Sequence, residues 1–277
     1  MRNLTEANLT DAVVAKLAAC PNPRLKQILT AAIRHAHAFV REVELTEAEW
    51  AEGIRFLTAT GQMCDDKRQE FILLSDVLGV SMLMDAINHR KPAGSTESTV
   101  LGPFYIEGAP DLPLGSNIAG TSPGEPTVVS GRVLGSDGTP IAGALLDIWQ
   151  TAANGLYSSQ DPQQDLYNLR GRFRSDAEGR YNFRTIKPVS YPVPTDGPVG
   201  DILRAMGRHP YRPAHIHFIV SAPGYEGVAT HLFVEGDPYL ESDAVFGVKD
   251  SLVVDFKPTG PGNSLEVHYD FGLKRAG

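Results

Sequence analysis

Two hydrophobic periods divide the chain. Over residues 24–40 apolar side chains recur at Leu25, Ile28, Leu29, Ala32, Ile33, Ala36, Phe39 and Val40, the i, i+3, i+4 spacing of one stripe along a helix. Thr46-Glu47-Ala48-Glu49 reads as a capping box that opens a second helix, with Leu45 and Trp50 placed as its hydrophobic staple. A third helical segment is predicted over about residues 65–89. Beyond Gly94 the runs become short and are punctuated by turn residues. Residues 127–134 and 144–149, joined through Ser136-Asp137-Gly138-Thr139-Pro140, predict paired strands, and residues 172–175 and 180–186, joined through Asp176-Ala177-Glu178-Gly179, predict a hairpin. Further strands are expected at 215–220, 228–234, 251–256 and 265–271. Short strands at this spacing predict an α+β, mainly β protein: an antiparallel β-sandwich domain over residues 94–277 preceded by a helical domain over residues 1–93.

Composition sharpens the cut. Three of the 20 prolines and three of the 27 glycines precede residue 94. Residues 188–213 hold six prolines, so this stretch is expected to run as a long loop over one end of the sandwich, with one short helix over residues 201–206. A net charge of −8 without a basic cluster argues against nucleic acid or an anionic membrane surface as partner. The first residues carry acids where a signal peptide needs an apolar stretch, and no run is long enough to span a bilayer, so a cytoplasmic location is expected. Cys20 and Cys64 lie outside any C-x-x-C spacing and are expected to be buried free thiols.

The chemistry concentrates in Arg212-Pro213-Ala214-His215-Ile216-His217-Phe218. On a strand the side-chain period is two, so His215 and His217 face one side and can reach one metal, while Ile216 and Phe218 face the other. A bare His-x-His also occurs on zinc and copper strands and in hydrogen-bonded cores. Two tyrosines flanked by turn residues, Tyr157 and Tyr191, shift the balance towards iron(III), because a small, highly charged ion favours anionic oxygen donors whereas zinc draws on Cys, His and carboxylate. His35 and His37 are about 200° apart around a helix and cannot share a metal.

Three blocks then identify a family. Ser98-Thr99-Val100-Leu101-Gly102-Pro103-Phe104-Tyr105, Leu146-Asp147-Ile148-Trp149-Gln150 leading to Asn154-Gly155-Leu156-Tyr157-Ser158, and Arg-Pro-Ala-His-Ile-His resemble, in order and approximate spacing, the intradiol ring-cleavage dioxygenases, non-haem iron(III) enzymes that open catechols between their hydroxyl-bearing carbons. The resemblance covers nearly the whole chain. It implies one iron(III) per subunit held by Tyr157, Tyr191, His215 and His217, with Tyr191 also acting as a base when the diol binds through both oxygens. It implies that Arg212 stabilises charge on the ring during oxygen attack, and that Leu73, Asp76, Val100, Leu101, Gly102, Pro103, Val193, Pro194 and Val245 join Arg212 in contacting a small aromatic diol or triol, Asp76 accepting a bond from a third hydroxyl. Where many catechol-cleaving members carry Thr-Gln, this sequence has Thr230-His231. That departure, with the runs 230–239 and 243–249, resembles the hydroxyquinol (1,2,4-trihydroxybenzene) branch; His231 is expected to orient the site or handle protons without binding iron. A homodimer through the amino-terminal helices, with a lipid held between them, is a further implication. Catechol and chlorocatechol enzymes share the ligands and remain open as alternatives, as do a metal-dependent hydrolase, which needs a carboxylate base that is not evident beside the histidines, and a non-enzymatic transthyretin-like binding module, which needs no paired tyrosines.

Overall fold

The structure, a computed structural model, describes residues 2–65, 68–90, 92–259 and 264–277. The chain divides into two compact units, Met1–Ala59 and Thr60–Gly277. In the first, α1 (Leu9–Ala15) packs on α2 (Pro23–Glu42). Helix α2 begins where Asn22 accepts a hydrogen bond from the Leu25 amide at 3.0 Å and proline occupies the first turn. The apolar stripe stands open to solvent: Leu25, Ile28, Leu29, Phe39 and Val40 are all exposed. Helix α3 (Glu47–Gln62) starts with the expected capping box, the Glu49 amide donating to Thr46 Oγ1 at 3.3 Å and the Thr46 amide to Glu49 Oε2 at 2.9 Å.

The third helical segment is two helices. Gly79 takes φ +74, a conformation that ends α4 (Glu70–Val77) and lets α5 (Val80–Asn88) leave in a new direction. Both helices belong to the unit that contains the strands. The break in packing at residue 59 and the break in composition near residue 93 therefore fall at different places.

Two five-stranded sheets form the sandwich. One has the order β3 (Arg170–Arg174), β2 (Leu145–Gln150), β7 (His215–Ser221), β8 (Val228–Val234), β9 (Val253–Val254). In the other, β1 (Pro126–Gly135) lies between β4 (Arg180–Ile186) on one side and, on the other, β11 (Leu265–His268) followed by β12 (Phe271–Leu273), with β10 (Lys257–Pro258) beyond β11. The sheets are mixed, not purely antiparallel: β1 runs parallel to β11 and β12, and β8 parallel to β9. Neither expected strand pair forms. β1 and β2 lie in opposite sheets, as do β3 and β4, because alternation marks which face a strand buries and says nothing about its partner. At each turn the chain crosses the sandwich, so Leu146, Ile148 and Phe173 meet Val129, Val133, Tyr181 and Phe183 in the core between the sheets.

On β7 the period of two is plain. Ile216, Phe218 and Val220 enter that core, so His215 and His217 stand on the outer face of their sheet. Loops cover this face. The segment over residues 188–213 is pinned at its ends by a two-residue ladder, β5 (Tyr191–Pro192) against β6 (Tyr211–Arg212), which pairs Tyr191 with Arg212. Its helix α6 (Pro198–Ala205) starts three residues earlier than expected because Pro198 suits a first turn. Arg68 clasps the loop, donating to both Asp196 oxygens at 2.8 and 2.9 Å and to Glu70 Oε2, while Glu70 Oε1 accepts from the Val199 amide. Cys20 and Cys64 are free but partly exposed, not buried as expected. Among the described residues no helix is long and apolar enough to cross a membrane.

Candidate metal centre

Four donors converge on the outer face of β7. Tyr157 Oη, from the loop after β2, lies 2.8 Å from His217 Nε2 and donates to Tyr191 Oη at 3.1 Å, while His215 Nε2 lies 3.1 Å from His217 Nε2. Separations near 3 Å are those of ligands sharing one ion through bonds of roughly 2 Å. All four side chains are buried. His215 Nδ1 donates to the Pro213 carbonyl at 2.7 Å, which fixes the tautomer and leaves the Nε2 lone pair free to bind. His217 is held by its cross-strand neighbour Trp149, whose ring stacks on the imidazole at 4.5 Å and 12°. Phe104 stacks on Tyr157 at 4.6 Å.

Electrostatics suit a cation. Burial, then the Arg212 charge, lowers the pKa of His215 to about 3, and burial holds His217 and His231 well below the ordinary imidazole range. All three imidazoles are therefore neutral, the form that binds metal. Burial, reinforced by the neighbouring Tyr191, pushes the Tyr157 phenol well above its usual value, and burial raises Tyr191 too. Two costly buried phenols aimed at two neutral imidazoles match an oxophilic trivalent ion, whose field makes phenolates of them. The residues present fit iron(III).

Arg212 is buried beside this set, its Nη1 3.4 Å from His215 Nε2. Burial opposes its charge, but Asp243 and the phenols outweigh that, and its pKa stands above the ordinary guanidinium value. Gly102 lies against His217, where an added Cβ would sit 3.4 Å from Cε1. Leu73, Pro103 and Pro194 line a cavity of about 610 Å³ whose wall includes Phe104 and Tyr105. Asp76 is buried within electrostatic reach of Arg212 and Asp243, its pKa raised by desolvation. Val100, Val193 and Val245 are buried and Leu101 is 43% exposed, and none of these four lines that cavity.

Family models for a dioxygenase match residues 100–275 and for a catechol dioxygenase N terminus residues 22–96. The chain belongs to the intradiol ring-cleavage dioxygenases. It is therefore an oxidoreductase of a family that depends on non-haem iron(III). It is 55% identical to the 6-chlorohydroxyquinol 1,2-dioxygenase of Cupriavidus pinatubonensis, across 99% of both chains. It is 54% identical to the hydroxyquinol 1,2-dioxygenase of a Rhizobium species, across 91% of this chain and 86% of that one. The solved structure of hydroxyquinol 1,2-dioxygenase from Pseudomonas putida superposes with a TM-score of 0.93 at 55% identity, covering 98% of this chain and 99% of the other.

Sequence reasoning about this dioxygenase missed four neighbours of the donor set. Trp149 braces His217, and Asp243 binds Arg212. Thr99 Oγ1 hydrogen-bonds His231 Nδ1. Arg170 is buried and reaches Tyr157 electrostatically; it gives its Nε–H to Ser158 Oγ at 2.8 Å, and its Nη2 has no hydrogen-bond partner among the described residues. The available signal was a charged or amphipathic residue inside an apolar run, which pattern alone does not tie to a partner far away in sequence.

His231 sits opposite His217 in the ladder, and with His215 its ring nitrogens form a three-histidine cluster within 4.8 Å. Among the described residues its Nε2, which is buried, has no hydrogen-bond partner. A His231→Gln variant separates the possible donor sets. If the phenols and the β7 histidines hold iron, the variant keeps one iron per chain and its colour, and only turnover falls. Loss of the metal from this variant would show that the three histidines are the binding set.

Proposed function

We propose that this dioxygenase binds one iron(III) through Tyr157, Tyr191, His215 and His217 and cleaves hydroxyquinol between its adjacent hydroxyl-bearing carbons, both atoms of O2 entering the product, 3-hydroxy-cis,cis-muconate or its maleylacetate tautomer. The observation that carries the reading is the convergence of two buried phenol oxygens with two neutral imidazole nitrogens beside a buried arginine. The substrate rests on relatives 46–55% identical that are named for hydroxyquinol or its 6-chloro derivative.

When bound, iron(III) supplies a Lewis acid that favours the phenolate form of the tyrosines and the dianion of the diol. The Tyr191 oxygen, beside Tyr157 Oη and paired through its backbone with Arg212, takes a proton from one diol hydroxyl. His215, locked by the Pro213 carbonyl, and His217, stacked on Trp149, keep the donor geometry fixed while that proton moves. Arg212 presents Nη1 towards the donor set, where a fixed cation in a water-poor site stabilises negative charge growing on the ring. Leu73, Pro103 and Pro194, which line the cavity, and the buried Val100, Val193 and Val245 are the apolar contacts of the ring in this reading, with Gly102 against His217. Asp76, buried near Arg212, receives the third hydroxyl of the triol. The exposed stripe on α2 supports a homodimer through the amino-terminal helices, with a lipid between them, in a cytoplasmic enzyme.

The test is the visible spectrum of the purified protein before and after anaerobic hydroxyquinol, followed by O2 and product analysis. A broad phenolate-to-iron(III) band that moves to longer wavelength with the triol, and one O2 consumed per ring opened, is the expected result. An iron-replete protein without that band sinks the tyrosinate site, and faster turnover of catechol than of hydroxyquinol overturns the substrate.

A further inference from the structure

Arg212 does not stand alone. It is 3% exposed, and its Nε and Nη2 donate to Asp243 Oδ1 and Oδ2 at 3.0 and 3.2 Å. This side-on, two-point grip fixes the plane of the guanidinium and decides which nitrogen remains: Nη1, the one 3.4 Å from His215 Nε2. The carboxylate is fixed in turn by its own loop. Asp243 Oδ1 accepts from the Val245 amide at 3.3 Å and Oδ2 from the Gly247 amide at 2.9 Å. The loop is tied back beside Arg212, the Ala244 amide donating to the Tyr211 carbonyl at 3.1 Å. Each carboxylate oxygen thus accepts one bond from the arginine and one from the backbone. A carboxylate serving only to neutralise a buried cation has no need of this bracket.

There is also no slack. A Cβ added at Gly247 would lie 3.0 Å from Arg212 Nη2 and 3.1 Å from Asp243 Oδ2, tighter than ordinary contact, so glycine is what lets the loop close over the pair.

We infer that Asp243 is a positioning residue for the ring-opening reaction: through Oδ1 and Oδ2 it aims Arg212 Nη1 at the donor set. This rests on the role given to Arg212 above. A cation that acts on charge present only during oxygen attack depends on position to a fraction of an ångström, whereas a long arginine side chain left without its carboxylate has several rotamers. Asp243 therefore acts on kcat and leaves ground-state binding of the diol alone.

The experiment compares Asp243→Asn, Arg212→Gln, the double variant and Gly247→Ala, each loaded with iron. The phenolate band and iron content, the anaerobic dissociation constant for hydroxyquinol and kcat under O2 are read for all four. Asp243→Asn is expected to keep iron, colour and anaerobic affinity while kcat falls by about 10²-fold. The double variant is expected to be no slower than Arg212→Gln alone, since two residues acting as one unit do not lose activity twice. Gly247→Ala, which removes no polar group, is expected to lower kcat by a smaller factor and to show a displaced guanidinium in its crystal structure. A folded Asp243→Asn enzyme with parental kcat, or losses that multiply in the double variant, overturns the inference. Should Asp243→Asn fail to fold, Gly247→Ala decides, and unchanged kcat there overturns it. Unchanged kcat in Arg212→Gln is a separate result: it removes the role assigned to Arg212 itself.

Discussion

Tyr157→Phe is expected to cost the enzyme its iron and its colour while destabilising the metal-free fold by only about 1 kcal/mol. The two effects differ in size because the role proposed for the phenol is to bind the metal. Its oxygen meets His217 Nε2 at 2.8 Å and Tyr191 Oη at 3.1 Å, all members of the donor set. Its ring packs against Phe104, a contact that phenylalanine keeps. In the metal-free protein the hydroxyl is a buried, hydrogen-bonded polar group, and removing it costs about 1 kcal/mol. In the loaded enzyme as proposed, its removal takes away one of two anionic donors. Metal analysis, the visible band and thermal unfolding of both forms check all three statements. Tyr191→Phe differs in kind: it also removes the oxygen that accepts a diol proton, a function worth about 10²–10⁴ in rate. A Tyr157→Phe protein that retains full iron and colour would remove Tyr157 from the ligand set.

How far such a site was legible depended on the element carrying each residue. His215 and His217 declared their common side because a strand has a period of two, and the structure places their neighbours Ile216 and Phe218 in the core between the sheets. Tyr157 lies in a loop and Tyr191 in a two-residue strand, where no period exists; turn residues on either side drew notice to them, and the family resemblance aligned them with the metal ligands. The β5–β6 ladder that sets Tyr191 beside Arg212 is two residues long and too short for any pattern to show. Asp243 lies 31 residues from its arginine, and nothing local in the chain announces a partner at that distance.

The same limit shaped the fold. Capping at Thr46 was legible because all its parts lie within four residues. Strand pairing was not: the turn at Asp176-Ala177-Glu178-Gly179 carries the signature of a hairpin, yet the chain uses it to cross between sheets. What decides is whether the flanking apolar residues meet side by side or face to face, a property of the assembled sandwich. Gly79 could be seen as a glycine within a helical pattern, but only its left-handed φ of +74 turns a tolerated interruption into a break.

Acid is expected to destabilise the metal-free protein steeply, and His231 accounts for part of the slope. Burial keeps His215, His217 and His231 neutral in the fold, His215 with a pKa of about 3 and the other two well below the usual value. In the unfolded chain each returns to about 6.5. Below that pH the unfolded state binds more protons, so stability falls as pH falls, and it is recovered as pH rises through 6.5. Between pH 7 and 5.5 each histidine contributes about 1.2 kcal/mol to the loss, and the three together about 4 kcal/mol, a large share of a typical folding free energy. Asp76 and Asp147 work against this, since burial raises their pKa values and lets the fold take up protons as the solution acidifies. The contributions separate in His231→Gln: denaturant unfolding of the chelated protein across this range is expected to show a proton uptake smaller than in the parent, the difference growing as pH falls and approaching one proton near pH 5.5. An unchanged slope would mean that His231 is already protonated in the fold, which its unpartnered Nε2, buried between His215 and His217, argues against.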